Sequence, residues 1–264
     1  MLRGRRPPKL GRMNGEARLR AIDFVTALDD ACAQSRPPCP GGHVLLDSRH
    51  PVLWSANHVR VERAPAPAAA ALDDAAATHL DALGFRMITV LDEAAGVALT
   101  APLGALGYRP AHELLMILGP HPAPTERSQR IVEVGSAELA QSRIAAQVEL
   151  DRDAEVGRQL ASRDALIGAV VAVRRFAIRA GGQIVARCQV YGDGAVAQIE
   201  NMYTTAGHRR QGLSRLLMRH AVGEALDGGA ELVFLLADAA DWPQAFYRRL
   251  GFDDAGLLPH FLRP

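Results

Sequence analysis

The sequence predicts a mixed α/β (α+β) protein built from two halves of similar plan. Three observations carry this reading. Strand-like and helix-like hydrophobic periods alternate along the whole chain. A proline-rich stretch, GPHPAPTERSQ at Gly119 to Gln129, interrupts them near the middle, where proline removes backbone donors and disfavours helix before it. A helix end followed by L-G-aromatic and a strand occurs once in each half, as LGALGYRPAHELLMIL and as RRLGFDDAGLLPHFL. At 264 residues there is room for two domains of roughly 130 residues each.

The elements follow in order. EARLRAIDFVTALDDACAQS has helical spacing at Leu19, Ile22, Phe24 and Leu28. HVLLDSRHPVLWSANHVRVE reads as strand, turn and strand, and AAAALDDAAATHLDALGF as a helix that Gly84 stops. RMITVLDE and ELLMILG are strands around a short apolar helix. After the prolines come a strand, RIVEV, and helices over Ser136 to Glu149 and about Asp153 to Leu166. VVAVRRFAIRA, GQIVARCQVYG and AVAQIENMYTT form three strands joined by GG and GDG, turn chemistry suited to antiparallel hairpins. Leu213, Leu216, Leu217 and Ala221 then recur at helical intervals until DGG, and ELVFLLA has the continuous apolar run of a strand buried on both faces. Asp241 is placed to cap a last helix with Pro243 in its first turn, ending at Gly251, and PHFLRP supplies a final strand.

Composition excludes several function classes. With 30 basic and 29 acidic residues there is no cationic excess of the kind a nucleic-acid binder needs. No apolar run approaches the ~18 residues of a membrane span. The first residues, MLRGRRPPKLGRMNG, are basic without the apolar core of a signal peptide and are expected to form a flexible leader over 1–16. Cys32, Cys39 and Cys188 match no zinc or redox spacing, and their odd number fits a reducing cytoplasm. Nine histidines include no metal-binding pattern, so no metal is expected. His208 is a candidate phosphate contact, and His50, His58 and Trp54 are candidate linings of an acceptor pocket.

The chemistry concentrates in TTAGHRRQGLS. A strand ends, a polar loop follows, and Gly212 lets the backbone approach a ligand where the next helix has unpaired N–H groups and a partial positive charge. Such a turn suits a pyrophosphate; an exposed arginine pair at a helix start is the other explanation. Neither a Walker loop nor a G-x-G-x-x-G fingerprint is present.

RRQGLS, Arg209 to Ser214, resembles the R-x-x-G-x-[GA]-like signature of the GNAT superfamily of N-acetyltransferases, and WPQAFYRRLGF, Trp242 to Phe252, resembles its closing FY-x-x-LGF element. The resemblance covers about 128–264. It implies two GNAT-like domains, each a mixed, largely antiparallel twisted sheet flanked by helices: a degenerate one over 17–118 and a catalytic one over 128–264, joined by a linker at 119–127. It also implies acetyl-CoA, or another acyl-CoA, as acyl donor. By position, the backbone amides of Arg210, Gln211, Gly212, Leu213 and Ser214, with Arg209 beside them, would hold the pyrophosphate. Met202, Tyr203 and Thr204 would lie along the pantetheine arm, and Tyr247 beside the sulfur. Ala206 stands where the family often has proline, Ser214 where it has glycine or alanine, and Asp241 and Trp242 where many relatives carry asparagine; the last departure bears on the acceptor side.

Each role has a physical warrant. A strand-edge N–H stabilises the oxyanion that forms during acyl transfer. Tyr247 is neutral at pH 7, but full proton transfer to a thiolate is uphill by roughly 2 kcal/mol at unperturbed values, so hydrogen bonding is an equal part of its expected role. Glu200, two residues before Met202, is the best-placed carboxylate to take a proton from an amine, directly or through water. The plainer alternatives are a core aromatic for Tyr247 and a solvent-facing strand residue for Glu200. The expected activity is acetyl transfer to a primary amine of a small molecule or peptide, in the cytoplasm, without membrane or nucleic-acid partners and with a homodimer allowed. A noncatalytic acyl-CoA-binding regulatory module is the rival. The first half lacks the R-x-x-G turn, so a second CoA site is not expected there; that half is expected to shape the acceptor cleft.

Overall fold

A computed structural model describes residues 10–150 and 152–264. The basic leader expected at 1–16 lies outside the described residues as far as position 9; from Leu10 the backbone is already helical, not a flexible arm. The first half contains α1 (Leu10–Cys32), β1 (Pro38–Cys39), β2 (Gly42–Leu45), β3 (His58–Val61), α2 (Ala69–Leu80), β4 (Arg86–Val90), α3 (Glu93–Ala105) and β5 (Arg109–Leu118). The second contains β6 (Ile131–Glu133), α4 (Ser136–Glu149), α5 (Ala154–Val170), β7 (Ala172–Ala180), β8 (Gln183–Gly192), β9 (Val196–Thr204), α6 (Leu213–Asp227), β10 (Leu232–Asp238), α7 (Pro243–Arg248) and β11 (Phe252–Arg263).

All eleven strands join one continuous sheet in the order β1-β2-β3-β4-β11-β5-β10-β9-β8-β7-β6. The two segments that echo each other in sequence, β5 and β11, are antiparallel neighbours at its centre, each docked on the other half's parallel pair. β11 pairs with β4, and its Phe261 is fully buried in the core made by α2 and α3 of the first half. β5 pairs with β10, and its Met116 is fully buried under α6 of the second half. Burying a side chain of this size contributes about 1.5 to 3 kcal/mol, so each exchanged strand ties the halves together through its partner's core. The segment at 119–127 therefore links two runs of sequence whose strands share one sheet; the domain limits drawn from sequence remain a proposal.

Helices cover both faces of this sheet. α6 lays Leu213, Leu217 and Ala221 on one face, while α1 and α5 cover the other, where Phe24 meets Phe234 edge-on at 5.9 Å. The expected Asp241 cap is not made. Trp242 holds the cap position of α7, and the Asp241 carboxylate accepts from the adjacent Trp242 N–H at 2.7 Å, too close in sequence to reach the helix's own donors. Pro243 opens α7 as expected, but the helix ends at Arg248. Among the described residues no helix is long and apolar enough to cross a membrane, and no cluster of His, Cys, Asp or Glu is arranged to hold a metal ion.

Candidate active site

The site begins with a failure of strand pairing. β9 and β10 are parallel and bond only from Val196 to Gln198 against Leu232 to Phe234, after which they diverge and leave a V-shaped gap. Within the gap β9 bulges. Its register against β8 slips between Glu200 and Tyr203, and Asn201 takes a left-handed φ of 57°. Asparagine is one of the few side chains that tolerates this conformation, and a bulge re-aims the residues around it. A buried polar network holds it: Asn201 Nδ2 donates to Gln189 Oε1 and Tyr191 Oη, both at 3.0 Å. Arg143 of α4 donates to Asn201 Oδ1 and pairs with Asp164 of α5 at 3.2 Å. Arg187 donates to the Asn201 carbonyl at 3.1 Å and stacks on the Tyr203 ring, 4.9 Å from its centroid. Burial, then the neighbouring Arg143 charge, lowers the Arg187 guanidinium to about 10, which leaves it protonated at neutral pH.

On the α6 side of the gap lies a cavity of about 670 Å³. Its polar end is the RRQGLS loop. Arg210 (φ 63°) and Gly212 (φ 78°) are both left-handed, so the chain turns sharply just ahead of the α6 N-terminus and its unpaired N–H groups. Among the described residues, no carbonyl or side chain accepts from the N–H groups of Arg210 to Ser214. A Cβ at Gly212 would meet nothing within 4 Å, so the space in front of these donors is open. The two arginines behave differently. Arg209 is used internally, donating to the Thr204 carbonyl at 3.1 Å and pairing with Glu149 at 3.3 Å. Arg210 has no acceptor among the described residues and faces the cavity.

The wall opposite carries Met202, Leu150, Phe246 and Tyr247, an apolar channel leading from the loop to the gap. Tyr247 is packed edge-on between Phe246 (5.2 Å) and Phe252 (6.2 Å). Burial, then the Glu200 charge, pushes its hydroxyl up to about 12. A second space of about 300 Å³ continues from Tyr247 through the gap, and Glu200 is on its wall. Burial, then the charge of Glu113, pushes Glu200 up to about 7, against a hydrogen bond from Gln198 at 2.6 Å that favours the carboxylate. Glu200 also lines a third cavity, of about 480 Å³, between the sheet and the helices α1 and α5. The second space shares lining residues with each of the other two, so the three adjoin in series across the sheet.

Most of the residues singled out by sequence meet here. Met202, Tyr203, Thr204, Arg209, Arg210, Gly212, Leu213 and Ser214 all line the first cavity. Gln211 does not; its side chain turns back toward the Gly207 carbonyl at 3.5 Å, leaving only its backbone to contribute. His208 lines the first cavity, and Trp54 and His58 line the third. His50 lies elsewhere, buried with its Nδ1 2.7 Å from Asp47. Sequence reasoning missed Asn201, Arg143, Asp164 and Arg187. The one local signal was an asparagine inside the strand QIENMY, where asparagine is disfavoured.

Comparison with known proteins agrees with this geometry. A family profile described as an acetyltransferase (GNAT) domain matches residues 170–254. A GCN5-related N-acetyltransferase from Kribbella flavida matches 94% of this chain over 95% of its own, at 21% identity and a TM-score of 0.60. A functionally unknown conserved protein from Staphylococcus epidermidis matches 88% over 93%, at 14% identity and a TM-score of 0.59. The chain spans 64% of the length of a GNAT-family protein from Novosphingobium aromaticivorans, with 58% of this chain matched, 20% identity and a TM-score of 0.44. No curated protein matches the chain in sequence.

Proposed function

From a chain that belongs to the GNAT superfamily by its domain at 170–254 and by its fold, we propose an acetyl-CoA-dependent N-acetyltransferase that transfers the acyl group directly to a primary amine. The observation that carries the reading is the series of adjoining cavities. One end offers free N–H donors and a free guanidinium; the other offers a carboxylate poised near neutral pH, with Tyr247 between them.

The residues fit the donor. The unpaired N–H groups from Arg210 to Ser214 at the α6 N-terminus suit a pyrophosphate, and the channel of Leu150, Met202 and Phe246 suits the narrow, largely apolar arm behind it. When bound, acetyl-CoA supplies an activated carbonyl and a thiolate leaving group. Glu200, ionised above about pH 7, takes a proton from the incoming ammonium so that its nitrogen lone pair becomes available. The β9 edge left unpaired where β10 diverges, re-aimed by the Asn201 bulge, offers backbone N–H groups to charge developing on an acyl oxygen. Tyr247, with its hydroxyl at about 12, would lose about 5 kcal/mol by giving its proton outright to the thiolate, whose conjugate thiol titrates near 8.5, so its contribution is a hydrogen bond to the departing sulfur.

The first half contributes to the acceptor side, since Trp54, His58 and Glu113 line the third cavity together with Glu200. The test is CoA release with a panel of amines, for the wild type and Tyr247→Phe. Turnover of at least one amine, slowed in the variant, is expected; acetyl-CoA binding without turnover of any amine would favour a regulatory module instead.

A further inference from the structure

The acceptor cavity, taken on the reading just proposed, selects among amines. We propose that the acceptor is a dication, an amine with a second cationic nitrogen as in an α,ω-diamine or polyamine, its reacting nitrogen at Glu200 and its second at Glu113 and His58.

The arginines argue for this by being unavailable. Three of them line the cavity, and each is already matched by carboxylates. Arg60 pairs with Asp30 (2.6 Å) and Glu62 (2.7 Å), Arg163 with Asp29 (2.6 Å), and Arg143 with Asp164 (3.2 Å). An acceptor bearing a carboxylate would have to break one of these pairs.

The remaining carboxylates have no arginine. Glu113 touches His260 through Oε2 at 3.1 Å, and its Oε1 takes no hydrogen bond from the described residues. Asp238 stands directly across from Glu113 in the β10–β5 register and uses one oxygen on the Ala240 N–H at 2.8 Å. Glu113 and Glu200 lie in one field, since the Glu113 charge is among the causes that raise Glu200. A cation between them relieves that repulsion.

An independent observation lies at the far end. His58 is 4% exposed, lines the same cavity, and its Nδ1 has no partner. Burial, then the charges of His260, Arg60 and Arg163, lowers it to about 3, so it is a neutral imidazole with a ring nitrogen that can accept a hydrogen bond from an ammonium. Glu113 on β5 and Glu200 on β9 flank β10, and both line this cavity, so one chain with a cation at each end can address both.

The experiment uses hexamethylenediamine, hexylamine and aminohexanoate, which share a chain and differ in the far group. Each is titrated calorimetrically into the protein with and without CoA, and each is assayed for CoA release from acetyl-CoA. The diamine is expected to bind about tenfold tighter than hexylamine, with aminohexanoate weakest. In Glu113→Gln, whose fold is checked by its melting temperature, and in His58→Leu, that preference is expected to shrink toward equality. Equal binding of diamine and hexylamine, or tightest binding of aminohexanoate, overturns the proposal whatever the turnover. A diamine preference in binding with no turnover of any amine supports it while overturning the transferase reading. Turnover of all three without diamine preference does the reverse.

Discussion

The two halves carry the same run of elements, strand, helix, strand, helix, strand, as β3-α2-β4-α3-β5 and as β9-α6-β10-α7-β11. Each has a parallel pair followed by a strand given to the other half, and each has a cavity beside its crossover helix. The chemistry of the two cavities is opposite. The loop before α6 is AGHRRQG, with two left-handed residues and a free guanidinium; the loop before α2 is ERAPAPA, in which Pro65 and Pro67 have no N–H at all. The N–H groups of Glu62 and Arg63 in that loop are both given to the Gly41 carbonyl. The first-half cavity, about 470 Å³, is walled by alanines and prolines with one carboxylate, Asp92, and no cation. Where the second half reads YRRLGF, the first reads LGALGY, which puts the fully buried Leu103 in the place of Tyr247. One backbone plan thus carries a loop with unpaired donors in one half and a loop without them in the other, and a few residues in two loops make the difference.

That contrast can be broken or sharpened. The largest effect is expected from Glu200→Gln, which removes the proposed base and should lower kcat by about 100-fold or more. Its pH profile gives the sign. Because the carboxylate is the active form and its pKa is raised to about 7, wild-type kcat/KM should fall as pH drops through about 7, and the variant should lose that inflection. A flat wild-type profile across this range would remove Glu200 from the role.

Next comes Gly212→Val, which forces a β-branched residue into φ 78° and fills the space before the donors. Acetyl-CoA binding, read by calorimetry, should weaken about 100-fold. Arg209→Ala should cost about tenfold or less, since its side chain is spent on Thr204 and Glu149. If the arginine variant bound more weakly than the glycine variant, side chains rather than backbone would form the cradle. Tyr247→Phe, which makes the second half more like the first, should lower kcat about tenfold, in line with the loss of one hydrogen bond to a charged group. A loss near a thousandfold would mean full proton donation.

The smallest effect belongs to the first-half cavity. Asp92→Ala should leave acetyl-CoA stoichiometry at one per chain, because that cavity has no donors to unmask. It should nevertheless lower Tm by about 3 °C, because Asp92 caps α3 through the Ala95 N–H at 2.8 Å. A second equivalent of bound acetyl-CoA in the wild type or the variant would end the comparison.

What was legible in the sequence was what depends on neighbours in the chain. Hydrophobic period, glycine stops and turn dipeptides placed α2, α3, α4, α6 and the β7-β8-β9 meander close to where they lie, and RRQGLS fell at the β9–α6 junction beside the first cavity because a strand-turn-helix junction is a local object. The Asp241 cap failed for an equally local reason, a side chain that satisfies itself one residue on. The Asn201 bulge was hidden because its cause is not in β9. Arg143, Asp164, Gln189 and Tyr191 come from four other positions of the chain to support it.

By itself the sequence determined the alternation of elements, the doubled L-G-aromatic plan and the presence of a donor-rich turn in only one half. The tertiary structure alone decided that β5 and β11 change places, that Glu200 and Tyr247 line one cavity, and that Glu113 and His58 of the first half line the adjoining one with Glu200. The physical reason is range. Helix periods and turns are set by interactions within a few residues, whereas strand exchange and a cavity between sheet and helices depend on which distant apolar faces bury each other best.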